Sequence, residues 1–384
     1  AEWSTYTADV KEFADDFNAY TYSSEVEYID GCGPYDLVEW EGNEHVIFQR
    51  KTDWWGDQVQ DNQYLKAYPS TIKYHVIPGN NWQFSKLENG ELDIVRNVVP
   101  ARFYNAKNAP VYQKVVSFHD PSQFAYHYLA FNAKSSKLSD KRVREAISCA
   151  VDRDRIVNEF FNGGAMKVNS PVSPHRMHYN IDIKGVAFDL DRAKMLLEKA
   201  GWKDTDGDDV RDKKIDGTLV KLRLKYNYSK NNMVRKAIGK MLKENLAKIG
   251  VKLDLYPIDF PMLLQRARAR EYEVLALAWV NSPGSDDLRN VWHSSSDTED
   301  GGNRVGFSNP KTDKLIDQIA VTLDAEARKK LYLELQERIA VEHPYAFLVV
   351  PNQLVMIRKG WSYPRLSPVN PGYVARWFQW VGTN

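Results

Sequence analysis

Between Leu219 and Val280 the chain switches repeatedly between two hydrophobic periods, and few architectures satisfy that alternation. Leu219–Tyr228 repeats every second residue, with Leu219, Lys221, Arg223 and Lys225 on one side, the pattern of a strand with one wet edge or face. Ser229 is placed to cap a helix whose apolar residues Val234, Ile238, Met241, Leu242, Leu246 and Ile249 recur at helical spacing, and Gly250 ends it. Val251, Leu253 and Leu255 alternate as a second strand. Asp259 opens a short helix through Arg268, and Tyr272–Val280 is nearly all apolar, as expected of a buried parallel strand. Strand, helix, strand, helix, strand is a parallel α/β unit. Further helices are predicted at Asp140–Ala150, Asp191–Ala200, Asp313–Leu323 and Asp324–Val341, each opening near an Asp that suits the helix dipole. Upstream, Lys73–Ile77 reads as a strand, Pro78-Gly79 as a break, Asn81–Leu87 as a helix and Glu91–Val95 as a strand. The fold class is α/β.

Composition limits what such a chain does. Its 384 residues exceed one ordinary core and suggest two or three domains. With 52 basic and 51 acidic residues the formal charge is +1, which argues against a broad electrostatic footprint for nucleic acid. The longest apolar stretches, Val274–Val280 and Ala346–Pro351, fall short of the roughly 20 residues a spanning helix needs. Two cysteines, Cys32 and Cys149, make neither a metal cluster nor a disulfide framework. The chain opens Ala1-Glu2-Trp3 with no initiator Met and no signal-like segment, so a processed or partial chain is expected.

A search for catalytic chemistry returns little. There is no Gly-x-Ser-x-Gly elbow, P-loop, His-Glu-x-x-His or dinucleotide fingerprint, and Gly31-Cys32-Gly33 fits a turn. Cys149 lies about 120° off the Val143/Ile147/Ala150 stripe and reads as a partly buried, unreactive thiol. His175 and His178 lack a third ligand and read as loop histidines. Asp204, Asp206, Asp208 and Asp212 resemble a calcium loop, but Gly207 is misplaced and Ile215 stands at the twelfth position, so a solvated turn is the favoured reading over a calcium site at Asp204, Asp206 and Asp208. No cofactor is expected. What remains is the stretch from Trp279 through Asn281, Ser282, Pro283 and Gly284 to Asp286 and Asp287, beyond the end of the apolar strand. Ligands bind at such ends in open α/β sheets, and a plain connection to a helix fits equally well.

Read in order, several motifs resemble one family. Gly31-Cys32-Gly33-Pro34-Tyr35 is similar to the glycine-x-glycine-proline-tyrosine strand of the family 5 solute-binding proteins of ABC transporters, which take up peptides, nickel and some sugars. Arg50-Lys51-Thr52-Asp53-Trp54-Trp55-Gly56, Glu88-Asn89-Gly90-Glu91-Leu92-Asp93-Ile94, Leu129-Ala130-Phe131-Asn132 and the run from Leu138 to Ile147 resemble later motifs of that family. So do Ala200-Gly201-Trp202, Ile249-Gly250-Val251 and Phe307-Ser308-Asn309-Pro310. Asn281-Ser282-Pro283-Gly284 resembles the oligopeptide-binding branch, although well-known peptide binders carry an acidic residue just after the strand, where this chain has Asn281 and Ser282.

The resemblance implies a two-lobed, hinged fold of the type II periplasmic-binding-protein kind, of which this chain would be the C-terminal two-thirds. Residues 1–122 would be the later part of lobe I, 123–358 a complete lobe III, and 359–384 a return into lobe I. The hinge strands would cross near Phe118–Tyr128 and Gly360–Leu366. The implied function is capture of oligopeptides by a monomeric, non-enzymatic importer component that delivers them to an inner-membrane permease. Sugar or nickel-chelate binding in the same fold is the alternative, and a peptide or glycan hydrolase a more distant one. The implied contacts are Trp279, Asn281, Ser282 and Gly284, with Asn303 and Asn132 as further polar groups. The implied location is periplasmic or on the extracellular side, with a lipid anchor as one option for the full-length form.

Overall fold

The computed structural model describes residues 7–19, 25–281, 284, 288–363 and 366–382. Gly33-Pro34 leads into β1 (Tyr35–Glu41), which pairs antiparallel with β2 (His45–Arg50), and β2 pairs in turn with β3 (Thr71–His75). A helix follows at Asn80–Glu88, entered through Gly79 at φ +87, and then β4 (Ile94–Arg96). β4 is shorter than its alternation predicts because the N–H groups of Glu91 and Leu92 both donate to the Lys86 carbonyl, which makes those residues part of the helix end. Two helices not anticipated from the sequence, Pro100–Lys107 and Pro110–Val115, each place proline in the first turn, where the missing N–H costs nothing. β5 (Val116–His119) completes this half.

The second half is built on β6 (Ala125–Phe131), while β7 (Ala165–Lys167) and a hairpin of β8 (Asp212–Ile215) and β9 (Thr218–Lys221) stand outside its sheet. β10 (Arg223–Ser229), β11 (Lys252–Ile258), β12 (Val274–Val280) and β13 (Tyr345–Phe347) join β6 in the order β11-β10-β12-β6-β13. β10 runs parallel to β11 and to β12, as the strand–helix alternation requires. β6, however, lies antiparallel to both β12 and β13, so the sheet is mixed. β12 is apolar because both of its faces are covered. Leu129, Phe131, Ile147, Leu242 and Val274 pack on one side, and Tyr128, Leu275, Leu277, Leu335 and Ile339 on the other.

Three local expectations change. The continuous alternation from Leu219 to Tyr228 is divided at Leu222, whose N–H donates to Arg211 while its carbonyl accepts from Lys252, so the strand exchanges one partner for another there. The helix Met233–Ala247 is capped by Asn232, whose side chain accepts from the Arg235 N–H, because Ser229 is still engaged in β10. The helix Pro310–Val321 begins at Asn309, which accepts the N–H groups of Lys311 and Thr312. Asp313 instead holds the Ser294 N–H at 2.9 Å and its hydroxyl at 2.6 Å. Asp140 and Asp324 cap their helices as read.

β14 (Val349–Pro351) pairs with β7, and β15 (Val355–Arg358) lies between β4 and β5. The chain therefore passes between its two sheet systems at residues 120–124 and again at 352–354. The passages are bound together through main-chain atoms: Gln123 N–H to the Pro351 carbonyl at 2.9 Å and Gln353 N–H to the Pro121 carbonyl at 2.7 Å. The return thus lies ahead of the expected 360–366, since β15, fully paired on both edges, already belongs to the first half.

Candidate ligand-binding site

The C-terminal end of β12 meets the first passage. Trp279 sits opposite Tyr126 and Val280 opposite Ala125, and the Asn281 N–H continues the ladder to the Phe124 carbonyl at 2.8 Å. Trp279 is half-buried and lies nearly parallel to Tyr128, with 6.4 Å between centroids and 16° between planes. Tyr128 stacks in turn on Tyr345 at 4.0 Å and 9°, and Trp279 Nε1 lies 3.4 Å from the Tyr345 hydroxyl. Burial pushes the phenols of Tyr128 and Tyr345 above their usual range, so both stay neutral. The result is an uncharged aromatic ledge whose orientation is fixed from behind.

Beside the ledge, Asn281 Oδ1 is buried and has no hydrogen-bond partner among the described residues. A buried acceptor left open costs free energy until a donor reaches it. Phe124, one register step away, carries the Arg176 guanidinium over its ring at 4.7 Å and the His175 ring at 5.9 Å. The structure places Trp279 and Asn281 beside one another at the end of β12. Ser282 lies outside the described residues, and Gly284 is an exposed bend.

Asn132 and Asn303 are elsewhere. Because β6 and β12 are antiparallel, Phe131 pairs with Val274 while Tyr126 pairs with Trp279, which puts Asn132 about 20 Å from Trp279 along the strands. Its Nδ2 donates to the carbonyls of Arg270 and Tyr272, each at 3.0 Å, and its Oδ1 accepts the Lys134 N–H. Asn303 is fully buried, with Nδ2 donating to the His293 and Phe307 carbonyls and Oδ1 accepting the Phe307 N–H. Ala133 N–H to the Val305 carbonyl places both asparagines in one corner. Each amide is committed to the protein's own main chain, so neither is available to a ligand as expected. Sequence reasoning missed Tyr128, which the alternation of residues 125–131 sets on one face with Tyr126, and Phe124 and Arg176, for which no local signal exists.

The other candidates have their own partners. The carboxylates of Asp204, Asp206 and Asp208 lie within 4.8 Å of one another and are exposed. Lys221 already pairs with Asp206 and, at 2.8 Å, with Asp208, while Asp204 accepts the N–H groups of Gly207 and Asp209. This internal ammonium and these turn bonds describe the solvated loop. His178 stacks on Tyr332 at 4.0 Å and His175 meets Phe124, so the two do not converge. Cys149 is fully rather than partly buried, and burial pushes its thiol up to about 11, whereas Cys32 is exposed. Two cavities lie elsewhere in the fold: one of about 540 Å³ between β3 and β4, and one of about 680 Å³ beside Lys141, Glu145 and His343 that reaches Tyr345 behind the ledge.

A family model described as bacterial extracellular solute-binding proteins, family 5 middle, matches residues 2–301. The chain belongs to that family. The family is one of solute-binding proteins, not enzymes, and among the described residues no helix is long and apolar enough to cross a membrane. The family 5 chain is 29% identical over 326 residues to the oligopeptide-binding protein AppA of Bacillus subtilis, a match covering 84% of this chain and 56% of that protein. It therefore spans little more than half the length of this relative. The solved structure of Bacillus subtilis AppA in complex with a nonapeptide superposes with a TM-score of 0.80 at 24% identity, covering 97% of this chain and 71% of the other. NikA from Brucella suis in complex with Fe(III)-EDTA gives 0.76 at 22% identity, covering 91% and 68%. The fold is that of the type II periplasmic binding proteins.

Proposed function

We propose that this chain is the cargo-binding part of an ABC importer component that captures oligopeptides between two lobes and presents them to a membrane permease on the outer side of the cytoplasmic membrane. The observation that carries this reading is the pairing of the Trp279 ledge with the open Asn281 Oδ1 at the passage between the two halves. A neutral stacking surface and an amide acceptor suit peptide groups of any sequence, with side chains left to hydrated space. The likeness to a protein named for oligopeptide binding supports the same cargo class. Residues 120–124 and 352–354 serve as the hinge, and a ligand that touches both halves only when they are closed shifts the equilibrium toward closure.

A second reading takes the Arg176 guanidinium beside Phe124 as the favoured contact and an anionic metal chelate as cargo, the ligand class named for the Brucella suis neighbour. Calorimetric titration separates the two. A mixed-sequence nonapeptide is expected to bind, and Trp279→Ala to weaken it at least tenfold. Heat from Fe(III)-EDTA or from a maltose-type sugar with none from the nonapeptide overturns the peptide reading.

A further inference from the structure

Strand register places two histidines and two carboxylates on one face of the first sheet. Glu41 of β1 lies opposite His45 of β2, and His45 lies opposite His75 of β3, so the three form one row across all three strands. Side chains alternate sides along a strand, which puts Glu39 on the same face as Glu41. The Glu39 carboxylate reaches His45 Nε2 at 2.5 Å. The Val76 N–H donates to the Glu44 carbonyl at 2.7 Å, so His45 and His75 are a non-hydrogen-bonded pair, the kind that holds facing side chains closest. Their ring centroids are 6.2 Å apart.

An ionised carboxylate only accepts, so the bond to Glu39 fixes the proton of neutral His45 on Nε2 and leaves the Nδ1 lone pair open. A carboxylate behind a histidine in this way is the usual outer partner of a metal-bound imidazole, where it sets the tautomer and the ring orientation. Among the described residues, His45 Nδ1 has no hydrogen-bond partner, and the side chains of His75 and Glu41 make no hydrogen bond or ion pair. Two imidazoles sharing one tetrahedral ion, each bonded at roughly 2.0–2.1 Å, have ring centres about 5 Å apart. The observed separation is about 1 Å wider, which rotation about the His75 side-chain bonds closes with no movement of the strands. Both His75 and Glu41 are exposed and turn without obstruction from the core.

We infer that this row is a binding site for a divalent transition ion of the zinc class, held by His45 Nδ1, a His75 ring nitrogen and a Glu41 carboxylate oxygen, with water in the fourth position. Imidazole ligands select such an ion over magnesium or calcium, which take sets of oxygen atoms. Glu39 and Glu41 of β1 offset its charge, whereas Lys73 of β3 and Lys86 of the helix Asn80–Glu88 oppose it. Burial, followed by the Lys73, His45 and Lys86 charges, lowers the pKa of His75, which keeps its nitrogens open to a metal at neutral pH. An ion so placed ties together all three strands beside the turn that joins β1 to β2. The row belongs to a different sheet from the Trp279 ledge, and the inference does not rest on the peptide-cargo reading.

Zinc chloride titrated calorimetrically into the untagged chain at pH 7.5 is expected to bind one ion per chain with micromolar affinity, and magnesium chloride to give no heat. His45→Asn and His75→Asn are each expected to weaken zinc at least tenfold. Glu39→Gln, which acts through His45, is expected to weaken it about tenfold. Asp206→Asn and Trp279→Ala are expected to leave it unchanged, which separates this row from the exposed aspartate loop and from the cleft. Protons compete for the ring nitrogens, so affinity should fall at least tenfold between pH 7.5 and pH 5.5. Imidazole nitrogen shifts read by NMR in the unsubstituted chain decide the matter even if a variant does not fold: His45 should take zinc at Nδ1 while Nε2 keeps its proton. Zinc that binds only at millimolar concentration, keeps its affinity in His75→Asn, loses it in Asp206→Asn, or leaves the His45 and His75 resonances unmoved overturns the inference.

Discussion

The Asn281 N–H donates to the Phe124 carbonyl at 2.8 Å, so the end of β12 is fixed to the first passage between the two halves. The side chain of Asn281 is thereby aimed by main-chain pairing alone, and Oδ1 stays open. Asn281→Ala is expected to weaken nonapeptide binding by about tenfold, the order of one hydrogen bond to a buried acceptor. Because the substitution also removes an unsatisfied buried group, it should leave stability unchanged or slightly raise it. Calorimetry and urea unfolding on the same variant read both effects, and a loss of stability without a loss of affinity would contradict the assignment.

Asn303 predicts the opposite pattern. Its amide closes three bonds to the main chain in a fully buried corner, and removing it leaves two carbonyls and one N–H without that partner. Asn303→Ala is expected to cost about 3 kcal/mol by urea unfolding, at roughly 1 kcal/mol per bond. Affinity per folded molecule should not change.

His127 is partly buried in the second sheet, against Phe161, and that burial, helped by the Arg235 charge, lowers its pKa from 6.5 to about 3. The folded chain therefore keeps the imidazole neutral while the unfolded chain protonates it below about 6.5. Stability from this group is complete above that pH and falls as pH drops toward 3, by about 1.4 kcal/mol per unit. Between pH 6.5 and 5 the unsubstituted chain should lose about 2 kcal/mol that His127→Gln does not lose. Equal slopes for the two in urea unfolding at those pH values would show that the histidine is protonated in the fold.

Gly239 lies in the helix Met233–Ala247, where alanine would ordinarily gain about 1 kcal/mol in helix propensity. Here an added Cβ would fall 2.6 Å from a Tyr226 ring carbon, and that ring is buried and held by its hydroxyl on the Arg235 carbonyl. Overpacking of this kind costs about 1–3 kcal/mol, so Gly239→Ala should destabilise on balance. A rise in the urea midpoint would mean that the ring moves aside freely.

The thiols should separate by accessibility. Cys149 is buried with its thiol pushed up to about 11, and Cys32 is exposed. Iodoacetamide at pH 8 should label Cys32 in the native chain and Cys149 only after unfolding, as read by peptide mass spectrometry.

The strand–helix alternation was legible because each element carries its own period, from Leu224 and Tyr226 in β10 to Leu253 in β11. The division at Leu222 was not, since the alternation runs through it unbroken and only the partner changes. The insertion of β6 against β12 was equally invisible, because strand order depends on contacts far apart in sequence. The motifs that carry the family likeness mostly hold the fold. Arg144 donates to the carbonyls of Leu138, Ser139, Glu342 and His343, and Asp93 accepts from Arg358 and Trp361. Asn132 and Asn303 belong with these. A buried asparagine satisfied by main chain and one with an open acceptor read identically in one dimension, which is why Asn132 and Asn303 could not be told from Asn281.

The two passages between the halves are tied together by peptide groups: Gln123 to Pro351, Gln353 to Pro121, Asn352 to Gly164. Such a joint places few demands on which side chains occupy it. If these passages are the proposed hinge, cargo-facing residues can diversify without disturbing the main-chain bonds that hold it.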